Sequence, residues 1–505
     1  MEWIKLLSKK RLSEEIGDPA VFKQYPISHF ERDYEKIVSS AAFRRLQDKT
    51  QVFPLAKSDF VRTRLTHSIE VSTIAKQLGI MCFQNESDSR HLYLQDVESD
   101  KDKRNERVGD IEAILSCAGL LHDLGNPPFG HVGEKIIGEW FEDHLKDIYS
   151  LQKGDNTPIY DKLEASHIKD LTKFEGNAQT FRILSKARHQ SEINLPISIM
   201  GALIKYPTSS EETAKEPLIR HKVGYYQAEK ATFEEIAKEL GTWREDGIVV
   251  RHPLAYLVET ADDIAYMTAD LEDAVKSGVI SVNALLQFLN EKWQEENEHF
   301  EQKKANYKTE PFSEEEKKKE ENQLRCTKEI IDKLNELNAF EKNLGKVMSQ
   351  WGTYLRRWLM YVVCWRYSAS YQDILDGEYT YDLFHDTFHY KTVRLLKDAM
   401  KEFVFDSRVI IEPEVSAQTI LNFLLDKFVP AVVHQGYNKM TTQDKKVMTL
   451  ISQNYMDDYK SVEKADGTMD EKERLYRRIL IATDFISGMT DGYAKKLYKI
   501  MSGIE

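Results

Sequence analysis

Four side chains of this sequence have the types needed to hold a metal ion. They are His67 in RTRLTHSIEV, the adjacent His122 and Asp123 in GLLHDLGNPPFGHVGEKI, and Asp262 in HPLAYLVETADDIAYMTADLED. Neutral imidazoles and ionised carboxylates together suit a borderline or hard first-row cation such as Mn, Fe, Co or Ni, with Mg and Zn not excluded. The four are far apart in the chain, so they form one site only if the fold gathers them. A His-Asp dipeptide by itself is common and usually marks a surface or hydrogen-bonded core pair. Its sequel is less ordinary. Gly125, Pro127, Pro128, Phe129 and Gly130 make a stiff, glycine-punctuated turn that ends in His131 and Glu134, an acid–base pair at i,i+3 spacing. Set among basic residues, this pattern points to phosphate-ester hydrolysis.

The elements that must position these groups read as helices. Asp110 fits an N-cap, and Ile111, Ile114, Leu115, Ala118 and Leu121 then mark one buried face. His122 and Asp123 fall in the last turn before Gly125. Neighbouring residues on a helix diverge by about 100°, so both reach one ion only if it lies beside the helix end. Downstream, Pro253 suits a first helical turn and Gly278 a stop, with Leu257, Ile264, Leu271 and Val275 as the core stripe. Asp262, Tyr266 and Asp270 are spaced i, i+4, i+8 and share a face. Two carboxylates and a phenol in an apolar helix are costly to bury without partners; a metal and a polyhydroxy substrate would supply them. Between Arg44 and Arg64 lie Arg44, Arg45, Lys49, Lys57, Arg62 and Arg64 against Asp48 and Asp59, a local positive excess suited to a polyphosphate. For Lys57 or Arg62 alone a solvated basic surface suffices. Arg64 differs, because it precedes His67 by three residues. Lys205, Tyr206 and Lys222 are further candidates for phosphate contacts.

The whole chain sets the frame. Its 505 residues allow a large core, strand-like alternation is scarce, and helical spacing dominates, so the expected class is all-α. We expect three regions: a phosphohydrolase core over 1–290, a charged helical insertion over 291–345, and a helical C-terminal region over 346–505 that packs on the core and in oligomer contacts. The polar stretches Gln84–Asp110 and Pro207–Pro217 read as a surface loop or exposed helix end and as a mobile loop. Ser313 and Glu316 have capping-box spacing, and Gly345 fits the stop of the helix they open. A formal net charge of −13 argues against a protein that coats nucleic acid all over. Four scattered cysteines without a C-x-x-C pair argue against a disulfide framework or thiolate zinc site. There is no signal-peptide core at MEWIKLLSKKRL, and the apolar run 358–365 is too short to span a bilayer. A soluble cytoplasmic protein without a membrane partner is the expectation.

The strings FRRLQDKTQVFPL, RTRLTHSIEV, HDLGNPPFGHVGE, FEGNAQ, ADDIAY followed by DLEDAV, and DFISGMTDGYA, in this order and spacing, resemble the HD-domain deoxynucleoside triphosphate triphosphohydrolases, most closely their bacterial deoxyguanosine triphosphate (dGTP) branch. The matches run from about residue 41 to 280 and resume near 484. The resemblance implies a helical HD fold with one transition-metal site, Mn favoured, whose ligands are His67, His122, Asp123 and Asp262. Asp263 is excluded because the metal carboxylate of the family falls four residues before the helix tyrosine, here Tyr266. His131 and Glu134 match the catalytic pair. Gln51, Tyr266 and Asp270 match positions that read the deoxyribose and its 3′-hydroxyl, and Arg64, Asn177, Lys205, Tyr206 and Lys222 match positions around the phosphates. Lys173 is a departure, standing where a bacterial relative has histidine. The resemblance further implies a homo-oligomer, often a hexamer, and a nucleotide or single-stranded DNA effector; for the hydrolysis itself a second ion, Mg, is expected to bridge the phosphates. Rival readings are an HD phosphodiesterase or nucleotidase that cleaves another bond, and a nucleic-acid-binding regulator that keeps the fold without turnover.

Overall fold

The computed structural model describes residues 1–13, 28–53, 61–83, 94–186, 193–305, 313–405, 407–465 and 469–504. Lys57, Asp59, Pro311 and the first part of the Gln84–Asp110 stretch lie outside the described residues. Among the described residues the regular structure is helical, and β-pairing is limited to isolated bridges.

Three helices form the frame of the site. Arg64–Phe83 buries Val71, Ile74, Ala75, Leu78 and Cys82, an i, i+3, i+4, i+7, i+11 stripe. This stripe packs against the Lys101–Leu121 helix, which buries Ile111, Ile114, Leu115, Ala118 and Leu121. Gly119 permits the close approach, because a Cβ there would stand 2.5 Å from the Ser72 Cα. The third helix, Pro253–Lys276, packs on Arg64–Phe83 and on Leu344–Ala369. As expected, Pro253 takes its first position, and Gly278, at φ +76°, lies just beyond its end.

The Lys101–Leu121 helix corrects one expectation. Asp110 is not its N-cap but a buried mid-helix residue, with Lys9 Nζ 3.4 Å from its carboxylate. Asp100 caps the helix instead and accepts from the Lys103 N–H at 3.3 Å. Residues 103–109 of the polar run, among which Val108 is buried, belong to the largely solvated first half of the same helix. A second correction falls at Gly345. The Ser313–Glu316 capping box is present, but the helix it opens ends at Phe340. Asn343 accepts from the Lys346 N–H and starts the next helix, which contains Gly345.

Among the described residues the apolar packing divides into two large clusters and a small one of Phe300 and Leu324. The first runs from Trp3 to Ile410 and includes Val71, Leu121, Ile264, Ile330 and Trp351. The second joins Phe129, Ile136, Ile137 and Phe141 to residues 417–497. Packing therefore continues across residues 290 and 345. No helix among the described residues is long and apolar enough to cross a membrane.

Candidate active site

The metal half of the site hangs from the first cluster. His67 occupies the first turn of its helix, His122 follows the end of Lys101–Leu121, and Asp262 lies mid-helix. Their donor atoms all fall within 4.8 Å of one another. His67 Nε2 is 3.0 Å from Asp262 Oδ1, and His122 Nε2 is 3.4 Å from the same oxygen. Ligands at right angles around an ion with bonds of about 2.1 Å stand about 3 Å apart, so these spacings suit one shared cation. His122 Nδ1 donates to the Gly119 carbonyl at 2.9 Å, which leaves Nε2 as the lone-pair nitrogen. That Nε2 is buried and has no hydrogen-bond partner among the described residues. Asp123 stands outside the three-residue group. Its Oδ2 is 3.4 Å from His122 Nε2 but is bound by Arg64 Nη1 at 2.5 Å, and its Oδ1 accepts from Asn126.

The electrostatics fit a cation. Burial opposes charging of His122, yet the Asp123 and Asp262 carboxylates outweigh it and lift the imidazole pKa to about 10. The two carboxylates are driven well below their usual range against the cost of burial, Asp123 by His122 and Arg64, Asp262 by Lys205 and His122. Lys205 Nζ lies 2.6 Å from Asp262 Oδ2. A proton can answer this demand for positive charge only by charging His122; a divalent ion answers it with the imidazole neutral.

The acid–base half stands on the second cluster. His131 is in the first turn of the Gly130–His144 helix and Glu134 follows in the next, and His131 Nδ1 donates to Glu134 Oε2 at 2.9 Å. Glu134 Oε1 accepts from the Gly176 N–H at 2.9 Å. The hydrogen bond and charge of Glu134 raise the His131 pKa, and Glu134 is lowered despite its burial. Two glycines make this packing possible. Gly130 has φ +62°, and a Cβ there would meet the Arg64 guanidinium at 2.5 Å; a Cβ on Gly176 would meet Asn126 Oδ1 at 2.0 Å.

The two halves open on one cavity of about 690 Å³. Arg64, Asp123, His131, Asp262 and the other expected substrate residues, Gln51, Asn177, Lys205, Tyr206, Lys222, Tyr266 and Asp270, all line it. Asn177 and Lys222 are held by one oxygen of Glu175, at 3.0 and 3.1 Å. Gln51 Oε1 is buried and has no hydrogen-bond partner among the described residues. Burial and the neighbouring Asp273 hold the Asp270 carboxyl well above its usual range, and burial raises the Tyr206 phenol to about 12.

Sequence reasoning missed one wall entirely. Lys397, Met400, Phe405, Ile410, Pro413 and Glu414 line the cavity from the C-terminal region. Asp263 offered a signal, since a half-buried second carboxylate beside Asp262 favours a counter-charge, and Lys397 Nζ supplies it at 3.2 Å. Arg62 is also no solvated cation. It binds Glu70, Glu272 and Asp273 at 3.0, 2.8 and 2.5 Å and ties the start of the His67 helix to the end of the Asp262 helix. The start of the 207–217 segment is packed, with Thr208, Ser209 and Ser210 buried, while residues 211, 212 and 214–216 are exposed as a surface loop would be. Lys173 binds it through the Ser210 carbonyl and the Thr213 hydroxyl, at 2.9 and 2.6 Å.

Comparison with known proteins finds relatives along the whole chain. The HD domain profile matches residues 64–180, which hold His67, His122, Asp123 and the acid–base pair. A deoxyguanosinetriphosphate triphosphohydrolase-like protein of Listeria innocua is 38% identical, with all of both chains covered. A protein of the same description from Synechocystis is 30% identical, again over all of both chains. The deoxyguanosinetriphosphate triphosphohydrolase of Enterobacter sp. is 29% identical, covering 94% of each chain. Matches of this extent and identity show that the chain belongs to the HD-domain deoxyguanosinetriphosphate triphosphohydrolase family.

Proposed function

We propose that this enzyme hydrolyses a deoxynucleoside triphosphate, dGTP foremost, at the α-phosphorus, releasing deoxynucleoside and intact inorganic triphosphate. The observation that supports this most strongly is the meeting of His67, His122 and Asp262 beside a cavity lined by Arg64, Lys205 and Lys222. The ligand set we propose is His67, His122, Asp123 and Asp262, with Mn favoured. A divalent ion held there supplies Lewis acidity to a phosphoryl group and to a water.

The residues of the chain then have distinct tasks. Arg64, Lys205 and Lys222 neutralise a tail that carries close to four negative charges, with Asn177 and Tyr206 beside them. Lys205 and Arg64 hold Asp262 and Asp123, so cation binding at those carboxylates would release both bases toward phosphate. Tyr266 packs beneath the sugar. Its ring at that position leaves no room for a 2′-hydroxyl, while Gln51 and Asp270 hydrogen-bond the 3′-hydroxyl. His131 moves a proton through Nε2, with Nδ1 held by Glu134, which orients the ring and stabilises the imidazolium. The name of the Enterobacter relative, a deoxyguanosinetriphosphate triphosphohydrolase, supports dGTP as first substrate. Assembly as a homo-oligomer and control by a nucleotide or single-stranded DNA belong to the same proposal.

Incubation of metal-loaded protein with each of the four deoxynucleotides, singly and mixed, tests the reading. Inorganic triphosphate and deoxyguanosine are the expected products from dGTP, with little turnover of GTP. Release of pyrophosphate or monophosphate would replace this reading with that of another HD phosphodiesterase or nucleotidase.

A further inference from the structure

The string DFISGMTDGYA near the C-terminus has no part in the chemistry above, yet its second acid reaches the cavity wall. Asp491 opens the Asp491–Ser502 helix and is buried. Its Oδ1 accepts from the Phe129 N–H at 3.0 Å. Its Oδ2 accepts from the Thr50 N–H at 3.1 Å and from the Thr50 hydroxyl. Thr50 and Phe129 both line the substrate cavity. Thr50 adjoins Gln51, and Phe129 precedes His131 by two residues. Phe129 also has φ 64°, a left-handed conformation that a residue with a side chain adopts only when its surroundings impose it. Lys49 repeats the connection: its Nζ donates to the Asn126 carbonyl at 2.6 Å and to the Ser487 carbonyl at 2.8 Å. The 487–491 segment thus holds two cavity segments whose partners lie as much as 441 positions away in the chain.

We infer that Asp491 is a positioning residue for the proposed reaction, fixing the turn that carries His131 relative to the segment that carries Gln51. The inference rests on the triphosphohydrolase reading and adds a residue to it. Apart from the Lys49–Asn126 bond, the two segments pack in different apolar clusters, Phe129 in the second and Phe53, two residues after Gln51, in the first, so the Asp491 carboxylate is a main tie between them. A carboxylate accepting three donors is a strong and directional tie. A shift of about 1 Å between a substrate-holding group and a proton-transfer group costs on the order of 100-fold in rate.

The test compares metal-loaded wild type with Asp491→Ala, Asp491→Asn, Thr50→Val and the Asp491→Ala/Thr50→Val double variant. Asp491→Ala is expected to keep its metal and lose about 10- to 100-fold in kcat per bound metal. Asp491→Asn, which retains one acceptor oxygen, is expected to recover part of that loss. Thr50→Val should raise the KM for dGTP by itself and add nothing in the Asp491→Ala background. Additive effects, or a lower melting temperature with unchanged kcat per bound metal, overturn the inference. Hydrogen exchange of the Asn126, Phe129, Gly130 and His131 amides reads the same tie without turnover. It should be faster in Asp491→Ala, and unchanged exchange also overturns the inference. If wild type hydrolyses none of the nucleotides, the functional reading fails instead, and the exchange result still decides whether Asp491 holds the turn.

Discussion

His67, His122 and Asp262 hang from helices of the first apolar cluster, and the two imidazoles are closed to solvent, at 1% side-chain exposure each. His131 stands on a helix of the second cluster with its ring 74% exposed, while Glu134 behind it is 8% exposed. The metal half is preorganised by burial and by opposite charges in contact. The acid–base half keeps one partner buried and rigid and leaves the other able to meet a substrate. Groups that must hold an ion benefit from a closed, low-dielectric surrounding that strengthens every charge contact. A group that exchanges a proton with a bound molecule must be reachable, and its pKa is tuned from behind.

The sharpest way to break this comparison is to remove one carboxylate from each side of the same dipeptide. Asp262→Ala should abolish metal retention and lower turnover by on the order of 10³-fold. Asp263→Ala, which loses only its pair with Lys397, should keep its metal; equal metal content in the two would reassign the ligand. His131→Ala should retain the ion and lose about 10²- to 10⁴-fold in kcat, and full activity would remove His131 from the chemistry. Glu134→Gln is expected to move the His131-dependent limb of the pH–rate profile to lower pH, because the Glu134 hydrogen bond and charge raise that pKa. An unmoved limb would mean the limb belongs to another group.

The smallest effects concern stability, and the two clusters should differ in sign. His252, which caps the Asp262 helix through Nδ1, is depressed by burial from 6.5 to about 4. The unfolded chain takes that proton first, so this contribution fades as pH falls from about 6.5 toward 4. Asp170 bonds Ser210, Tyr476 and the Gln227 N–H, and burial raises it from 3.8 to about 6. Here the folded chain takes the proton first, so its contribution is complete below about 3.8 and is lost as pH rises through 6. Each is worth on the order of 3 kcal/mol. Urea unfolding between pH 4 and 7 should show His252→Asn flattening the acid-side loss and Asp170→Asn flattening the opposing one. Identical slopes in both variants and wild type would remove this contrast.

Much of the site was legible because each motif is local. The glycine-proline turn after His122, the His131–Glu134 spacing and the shared face of Asp262, Tyr266 and Asp270 are properties of short segments, whose backbone periodicity sets which side chains are neighbours. The Ser313–Glu316 box and Pro253 were legible for the same reason. Asp110 misled because an acidic residue before an apolar run resembles a cap even when a solvated helix already precedes it. Arg62 misled because a guanidinium carries no mark of whether its carboxylates are water-exposed or packed. The cavity wall from Lys397 to Glu414 left no local pattern, since its residues become neighbours of the site only when the C-terminal helices pack.

The one-dimensional order of residues specified the donor types, their helical registers and the family to which they belong. It could not specify the distance from His67 to Asp262, the capture of Asp123 by Arg64, or the reach of Asp491 to Phe129 and Thr50. Those depend on how two apolar clusters, each assembled from segments remote in the chain, meet along a common seam. Side-chain periodicity is a local backbone property, whereas contacts across such a seam arise from the packing of whole helices.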